Sequence, residues 1–302
     1  MPDDHHAHAP PAYDQAFAIG TALNIGFVLA ESGFGLAAHS VALLADATHN
    51  LGDVLGLLLA WGAVWLGRRS PSASRTYGWG RSSILASLTN AAILLIGVGA
   101  IAVEAIQRMF APQPVAGATV MWVAGVGIII NGVTALLFMR GRETDLNIRG
   151  AFLHMAVDAL VSVGVVVAAV LIQLTGWRRI DPVTSLAIAA VIAIGTWELL
   201  RDAVNLALDA VPEGIDRHAI EQYLLGTAGV REIHDLHIWA LSTTDTALSV
   251  HLVRDGGGFR DNDALRDLAA ALHARFGIGH AAFQVETPAQ AERCALRSEA
   301  VV

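Results

Sequence analysis

His49 and Asp53 stand four residues apart in the run Val41-Ala-Leu-Leu-Ala-Asp-Ala-Thr-His-Asn-Leu-Gly-Asp-Val-Leu-Gly-Leu-Leu-Leu-Ala60, which is apolar enough for the core of a membrane-spanning helix. Positions four apart lie one above the other on a helix, so imidazole and carboxylate converge on one point. The spacing returns at His154 and Asp158 within Gly150-Ala-Phe-Leu-His-Met-Ala-Val-Asp-Ala-Leu160. Ionisable groups in a membrane helix are costly and mark a site or a pathway. One such pair would read equally well as core polar residues satisfied by neighbours. Two copies in two apolar helices read as the halves of one ligand set. Two nitrogens and two oxygens suit a tetrahedral borderline cation, Zn2+ first. Two aspartates also neutralise a divalent ion, the least costly state in a low-dielectric surrounding.

The elements that must carry these residues are visible in the composition. Of 302 residues, 54% are hydrophobic and 15% charged, which implies an integral membrane protein with some soluble part. Every basic residue is arginine, and the formal net charge is −8. From Glu213 to Val302 there are 8 arginines against 13 acidic residues, a net charge of −5, so nucleic acid is excluded as a partner. Cys294 is the single cysteine, which leaves no disulfide framework and no Cys-rich zinc module. The start, Met1-Pro-Asp-Asp-His-His-Ala-His, lacks the basic and apolar regions of a cleavable signal peptide.

Six apolar runs read as helices: about Ala16 to Ala37, Val41 to Leu66, Ser83 to Met109, Ala118 to Met139, Ile148 to Leu174 and Pro182 to Leu208. Each is near or above the roughly 20 residues that cross a bilayer. The connectors after the second and fourth runs hold Arg68, Arg69, Arg75, Arg81, Arg140, Arg142 and Arg149, and those after the first and third hold essentially none. The positive-inside rule makes the arginine-rich side cytosolic, and six spans bring both termini to it. Arg178 and Arg179 lie on the other side and oppose this orientation without reversing it. His5, His6 and His8 sit in a leader, residues 1–15, expected to be disordered.

The division that follows is 16–210 for an all-α six-helix membrane domain, 211–288 for a small α/β domain and 289–302 for an irregular tail. In the α/β domain Asp216 caps a helix through about Leu225. Ile233 to Leu241 and Ala247 to Val253 alternate as strands, Asn262 to Phe276 is helical, and Ala281 to Glu286 is a last strand. Helices on one face of a short sheet fit this order. Among the remaining polar residues, Asp46 precedes His49 by one turn and reads as a support for the site rather than a ligand. Glu31, Glu104 and Glu198 read as residues of helix ends or aqueous clefts.

The chain resembles the cation diffusion facilitators, in particular their zinc-transporter branch. The likeness rests on Ser40-Val-Ala-Leu-Leu-Ala-Asp-Ala-Thr-His-Asn-Leu-Gly-Asp53, Thr76-Tyr-Gly-Trp79 followed by Arg81, Arg149-Gly-Ala-Phe-Leu-His-Met-Ala-Val-Asp158 and His234-Asp-Leu-His-Ile-Trp239. It implies a ferredoxin-like, metallochaperone-like cytosolic domain, homodimers, and export of divalent metal against inward proton flow. The transport ligands it implies are His49, Asp53, His154 and Asp158. His at the first of these resembles the members that prefer zinc, with Cd2+ and Co2+ as further substrates. The resemblance also implies an interlock between Arg81 and Asp209. It further implies a regulatory zinc site among His234, His251, His280 and Glu286, in which Cys294 would join only if the tail folded back. His237 reads as structural beside Trp239. The connector Ser70-Pro-Ser-Ala-Ser-Arg-Thr-Tyr-Gly-Trp-Gly lacks the Asp/His ligands that some relatives carry there, so no metal is expected in it.

The function implied is a proton-coupled Zn2+ exporter, with metal ion, protons and membrane lipids as its partners. Its expected place is the plasma membrane, the inner membrane of a bacterium given an arginine-only basic set that points to a GC-rich genome. Two other classes compete with it. One is a metal-gated channel or sensor. The other is an intramembrane metalloenzyme, disfavoured because four protein ligands leave zinc no open position.

Overall fold

The computed structural model describes residues 11–138, 146–254 and 262–297, and for 11–21, 23, 57, 60, 64, 137–138, 146–154 and 262 the backbone alone. His5, His6 and His8 lie outside the described residues. Six long helices come first: α1 (Pro11–Ala37), α2 (Val41–Gly67), α3 (Ser82–Phe110), α4 (Gly117–Phe138), α5 (Leu146–Thr175) and α6 (Ile180–Ala207). They are followed by α7 (Arg217–Leu225), β1 (Val230–Ala240), β2 (Thr246–Arg254), α8 (Asn262–Phe276), β3 (Ile278–Glu286) and α9 (Pro288–Ala291). The chain forms two compact units, Met1–Leu58 with Asn90–Glu198 and Leu59–Thr89 with Leu199–Val302.

Among the described residues, α2 to α6 each hold a stretch long and apolar enough to cross a membrane, and α1 runs for 27 residues. Much of their apolar surface faces outward: Ile96 is 74% exposed and Leu174 78%. Such a surface is unfavourable in water and natural in hydrocarbon, where a helix also satisfies its own backbone polar groups. Inside the first unit Leu43, Val98, Val120, Ala124, Val165, Ala169 and Ile188 form a shared core. α2 and α3 touch through glycine. A Cβ on Gly52 would lie 2.0 Å from Leu94 Cδ2, so a side chain there would force Leu94 out of its place between the helices.

The start of α2 is fixed from two directions. Ser40 Oγ accepts from the Leu43 N–H at 3.2 Å, which satisfies one of the amides a helix N-terminus leaves open. Asp181, in the first turn of α6, accepts from the Val41 N–H at 2.9 Å and from the Ser40 hydroxyl. A buried carboxylate against the positive end of the helix dipole sets where α2 begins and therefore where His49 and Asp53 fall.

In the second unit the sheet order is β1-β2-β3, with β1 antiparallel and β3 parallel to β2. Asp216 caps α7 by accepting from the His218 and Ala219 amides at 2.9 and 3.1 Å. Ile220 and Leu224 of α7 and Leu268 and Leu272 of α8 pack with Leu248, Val250 and Leu252 of β2 on one sheet face. The connector before α3 docks on this unit. Tyr77 meets His280 edge-on at 5.5 Å, Ser83 Oγ accepts from the Thr243 N–H at 3.0 Å, and Arg81 pairs with Asp209.

The structure departs from the expected elements chiefly after β3. In place of an irregular tail, Thr287 caps α9 in a reciprocal capping box with Gln290, and Ala291 is buried. β1 and β3 each begin three residues earlier than alternation alone suggests, at Val230 and Ile278.

Candidate metal centres

The first centre is built by α2 and α5. His49 and Asp53 project from α2 one turn apart, with His49 Nε2 at 4.0 Å from Asp53 Oδ2. The same nitrogen is 3.1 Å from Asp158 Oδ1 of α5. One ligand atom from each of the three lies within 4.8 Å of the other two. Asp158 is fully buried, whereas the side chains of His49 and Asp53 are about one-fifth exposed, at 19% and 21%. The two α2 side chains are therefore the exposed members of the group. His154 stands one turn before Asp158 on the α5 backbone, and its side chain lies outside the described residues.

Two further buried acids flank this centre. Asp46, one turn before His49, accepts from Ser162 Oγ at 2.9 Å, and Ser162 is one turn beyond Asp158. The supporting place expected for Asp46 is thus a second link between α2 and α5. Glu31 differs from expectation: it is fully buried and accepts from Asn50 Nδ2 at 3.1 Å, not at a helix end or in an aqueous cleft. Sequence alone could not place it, because Asn50 faces α1 only through the rotation of α2. Glu104 pairs with Arg108 at 2.7 Å and is 44% exposed, as a helix-end acid would be.

The second centre lies on the sheet face opposite α7 and α8. Register puts His234 of β1 beside His251 of β2, and His251 beside Gln284 of β3, whose neighbour two residues on is Glu286. His251 Nδ1 is 3.2 Å from both His234 Nε2 and Glu286 Oε1, and His234 Nε2 is 3.4 Å from Glu286 Oε2. His234, His251 and Glu286 are 7%, 8% and 5% exposed. A β-bulge between His234 and His237 holds Asp235 at φ 53°, from which its Oδ2 reaches His251 Nε2 at 3.4 Å. A carboxylate on one ring nitrogen fixes the tautomer and turns the other nitrogen's lone pair toward the cluster.

His280 is not in this group. It shares the strand face of Glu286, but six residues along β3 separate them by about 20 Å, and its ring lies against Tyr77. Cys294 is in the group: the tail folds back and brings Sγ to 3.7 Å from His251 Nδ1. His237 bonds Asp235 at 2.9 Å, so its partner is the bulge carboxylate.

With both centres laid out, comparison with known proteins decides the family. Residues 17–206 match the cation efflux transmembrane domain, and residues 212–288 match the cation efflux protein cytoplasmic domain. The chain belongs to the cation efflux family. This cation efflux protein is a multi-pass membrane transporter and not an enzyme. It is 35% identical to the metal cation efflux system protein CzcD of Cupriavidus metallidurans, over 93% of this chain and 89% of that one. It is 34% identical to a cadmium, cobalt and zinc/H(+)-K(+) antiporter of Bacillus subtilis, covering 94% and 92% of the two chains. It is also 34% identical to the zinc transporter ZitB of Escherichia coli, covering 95% and 89%. The solved metal-bound C-terminal domain of the CzcD transporter is 38% identical to it, over 24% of this chain and 99% of that one, with a TM-score of 0.22.

Proposed function

We propose that this protein exports a divalent transition metal from the cytosol in exchange for protons, with Zn2+ as first substrate and Cd2+ or Co2+ as others. His49, Asp53, His154 and Asp158 hold the ion in transit. The observation that carries this reading is the convergence of His49 and Asp53 on α2 with Asp158 on α5, all three within 4.8 Å at ligand atoms. Two carboxylates balance the charge of a divalent ion, so the loaded site is neutral where charge is costly. When the ion leaves, protons take its place on the same carboxylate oxygens and imidazole nitrogens, which accept either partner. Protons and metal then compete for one set of side chains, and alternating exposure to the two membrane faces turns competition into exchange.

The arrangement proposed around this site is a plasma-membrane protein of a bacterium with both termini in the cytosol. A leader over 1–15, a transport domain over 16–210, a cytosolic domain over 211–288 and a tail over 289–302 make up the chain. The match to the family's cytoplasmic domain supports a homodimer. His234, His251 and Glu286 form a regulatory metal site in that domain, a reading supported by three buried ligand groups that converge from three strands. Zinc flux into inside-out vesicles, measured with and without an imposed pH gradient, tests the exchange. The expected flux rises and falls with the gradient, and a flux indifferent to it would make the protein a channel.

A further inference from the structure

We propose that Cys294 is the fourth ligand of the cytosolic centre, so that a bound metal ion fastens the C-terminal tail across the open face of the sheet. The inference rests on the regulatory-site reading above and adds a ligand and a consequence to it. Cys294 lies six residues beyond the end of the matched cytoplasmic domain at residue 288.

Four groups crowd one point. His251 Nδ1 has His234 Nε2 at 3.2 Å, Glu286 Oε1 at 3.2 Å and Cys294 Sγ at 3.7 Å, and ligand atoms of all four residues lie within 4.8 Å of one another. One ring nitrogen carries at most one proton and cannot serve three such neighbours. A cation between them can. Bonds of about 2.0–2.1 Å to nitrogen and oxygen and about 2.3 Å to sulfur place tetrahedral ligand atoms about 3.3–3.6 Å apart, close to the spacings observed. Glu286 Oε2 is itself buried and has no hydrogen-bond partner among the described residues. The carboxylate and a thiolate together neutralise a divalent ion, which three ligands with one carboxylate would leave at +1. Sulfur also shifts the site toward softer ions, Cd2+ and Zn2+ ahead of harder ones.

The tail is shaped to deliver this sulfur. Thr287 starts α9 directly after Glu286, α9 packs on β2 and β3, and Ala291 is 1% exposed. Beyond Cys294, Arg297 forks onto Glu232 of β1 with contacts of 3.1 and 3.2 Å. An ion held by β1, β2, β3 and the tail ties four segments together, and its loss frees the tail to lift.

Cys294 is the chain's single cysteine, so every metal–thiolate signal belongs to it. Full-length protein carrying Asp158→Ala, which removes a transport ligand, is titrated with Co2+ in detergent. The expected result is a near-ultraviolet thiolate-to-cobalt charge-transfer band that Cys294→Ser abolishes, together with slowed maleimide labelling of the thiol once Zn2+ is bound. If Co2+ binds in a His251-dependent manner without that band and labelling ignores Zn2+, the Cys294 inference is overturned while the His234–His251–Glu286 site stands. If no Co2+ binds that His251→Ala removes, the regulatory-site reading fails and the inference with it.

Discussion

Ser162 Oγ donates to Asp46 Oδ2 at 2.9 Å, one helical turn from the 3.1 Å contact between His49 and Asp158. α2 and α5 are therefore joined by two rungs. One is made of residues assigned to the ion and the other of residues that hold the helices in register. Ser162→Ala leaves a buried Asp46 oxygen without its donor, at a cost of about 1–3 kcal/mol. Melting in detergent should fall accordingly, and zinc affinity should fall less than on loss of a ligand. An unchanged melting temperature would mean that the second rung holds nothing.

The close approach of α2 to α3 gives a steric prediction. A Cβ on Gly52 meets Leu94 at 2.0 Å, whereas a Cβ on Gly62 meets nothing within 4 Å. Gly52→Ala forces Leu94 aside, an overpacking cost of about 1–3 kcal/mol, and moves Asp53 with its helix. Gly62→Ala should stay within about 1 kcal/mol of wild type. Melting temperatures and zinc titrations of the two variants check this, and equal behaviour would show that the glycine contact is dispensable.

These elements show what the sequence makes legible. Apolar runs gave α2 to α6 to within a few residues, because a bilayer demands length and hydrophobicity in one unbroken stretch. Asp216 placed α7, and residues 262–276 were readable as α8 from helical spacing. The i, i+4 pair of His49 and Asp53 was readable for the same geometric reason. Distances that depend on sheet register were not. Register alone sets His234 of β1 and Glu286 of β3 on either side of His251 of β2, whereas the six residues of strand between His280 and Glu286 hold those two about 20 Å apart in any register. The fold-back of Cys294 did have a signal: Thr287-Pro-Ala-Gln290 is a capping box, and a helix there turns the chain back toward the sheet. The burial of Glu31 had none, since it depends on how α1 and α2 are rotated against each other.

Arg81 and Asp209 form the expected ion pair, with side chains 50% and 51% exposed. Solvent screens a pair so exposed, and Asp209→Asn should change stability by less than about 1 kcal/mol. Asp209 also holds φ at 59°, a left-handed conformation that Asn tolerates and a β-branched residue does not. Asp209→Val should therefore cost about 1–2 kcal/mol more than Asp209→Asn. Equal melting temperatures for the two would show that backbone strain at this position is absent.

The strongest test falls on the proposed sharing of one site by metal and protons. Asp158→Ala removes a fully buried candidate ligand and one of the two carboxylates proposed to balance a divalent ion. Both zinc binding at the membrane site and pH-driven flux should disappear together. His49→Asp keeps a ligand at that position, adds a negative charge and replaces a borderline nitrogen with a hard oxygen. Some transport should persist, with altered preference among Zn2+, Cd2+ and Co2+ and a shifted pH optimum. Flux assays in inside-out vesicles measure both variants against wild type. If zinc flux in the Asp158→Ala protein still followed an imposed pH gradient at the wild-type rate, protons would travel by another route, and the pairing of α2 with α5 would serve structure alone.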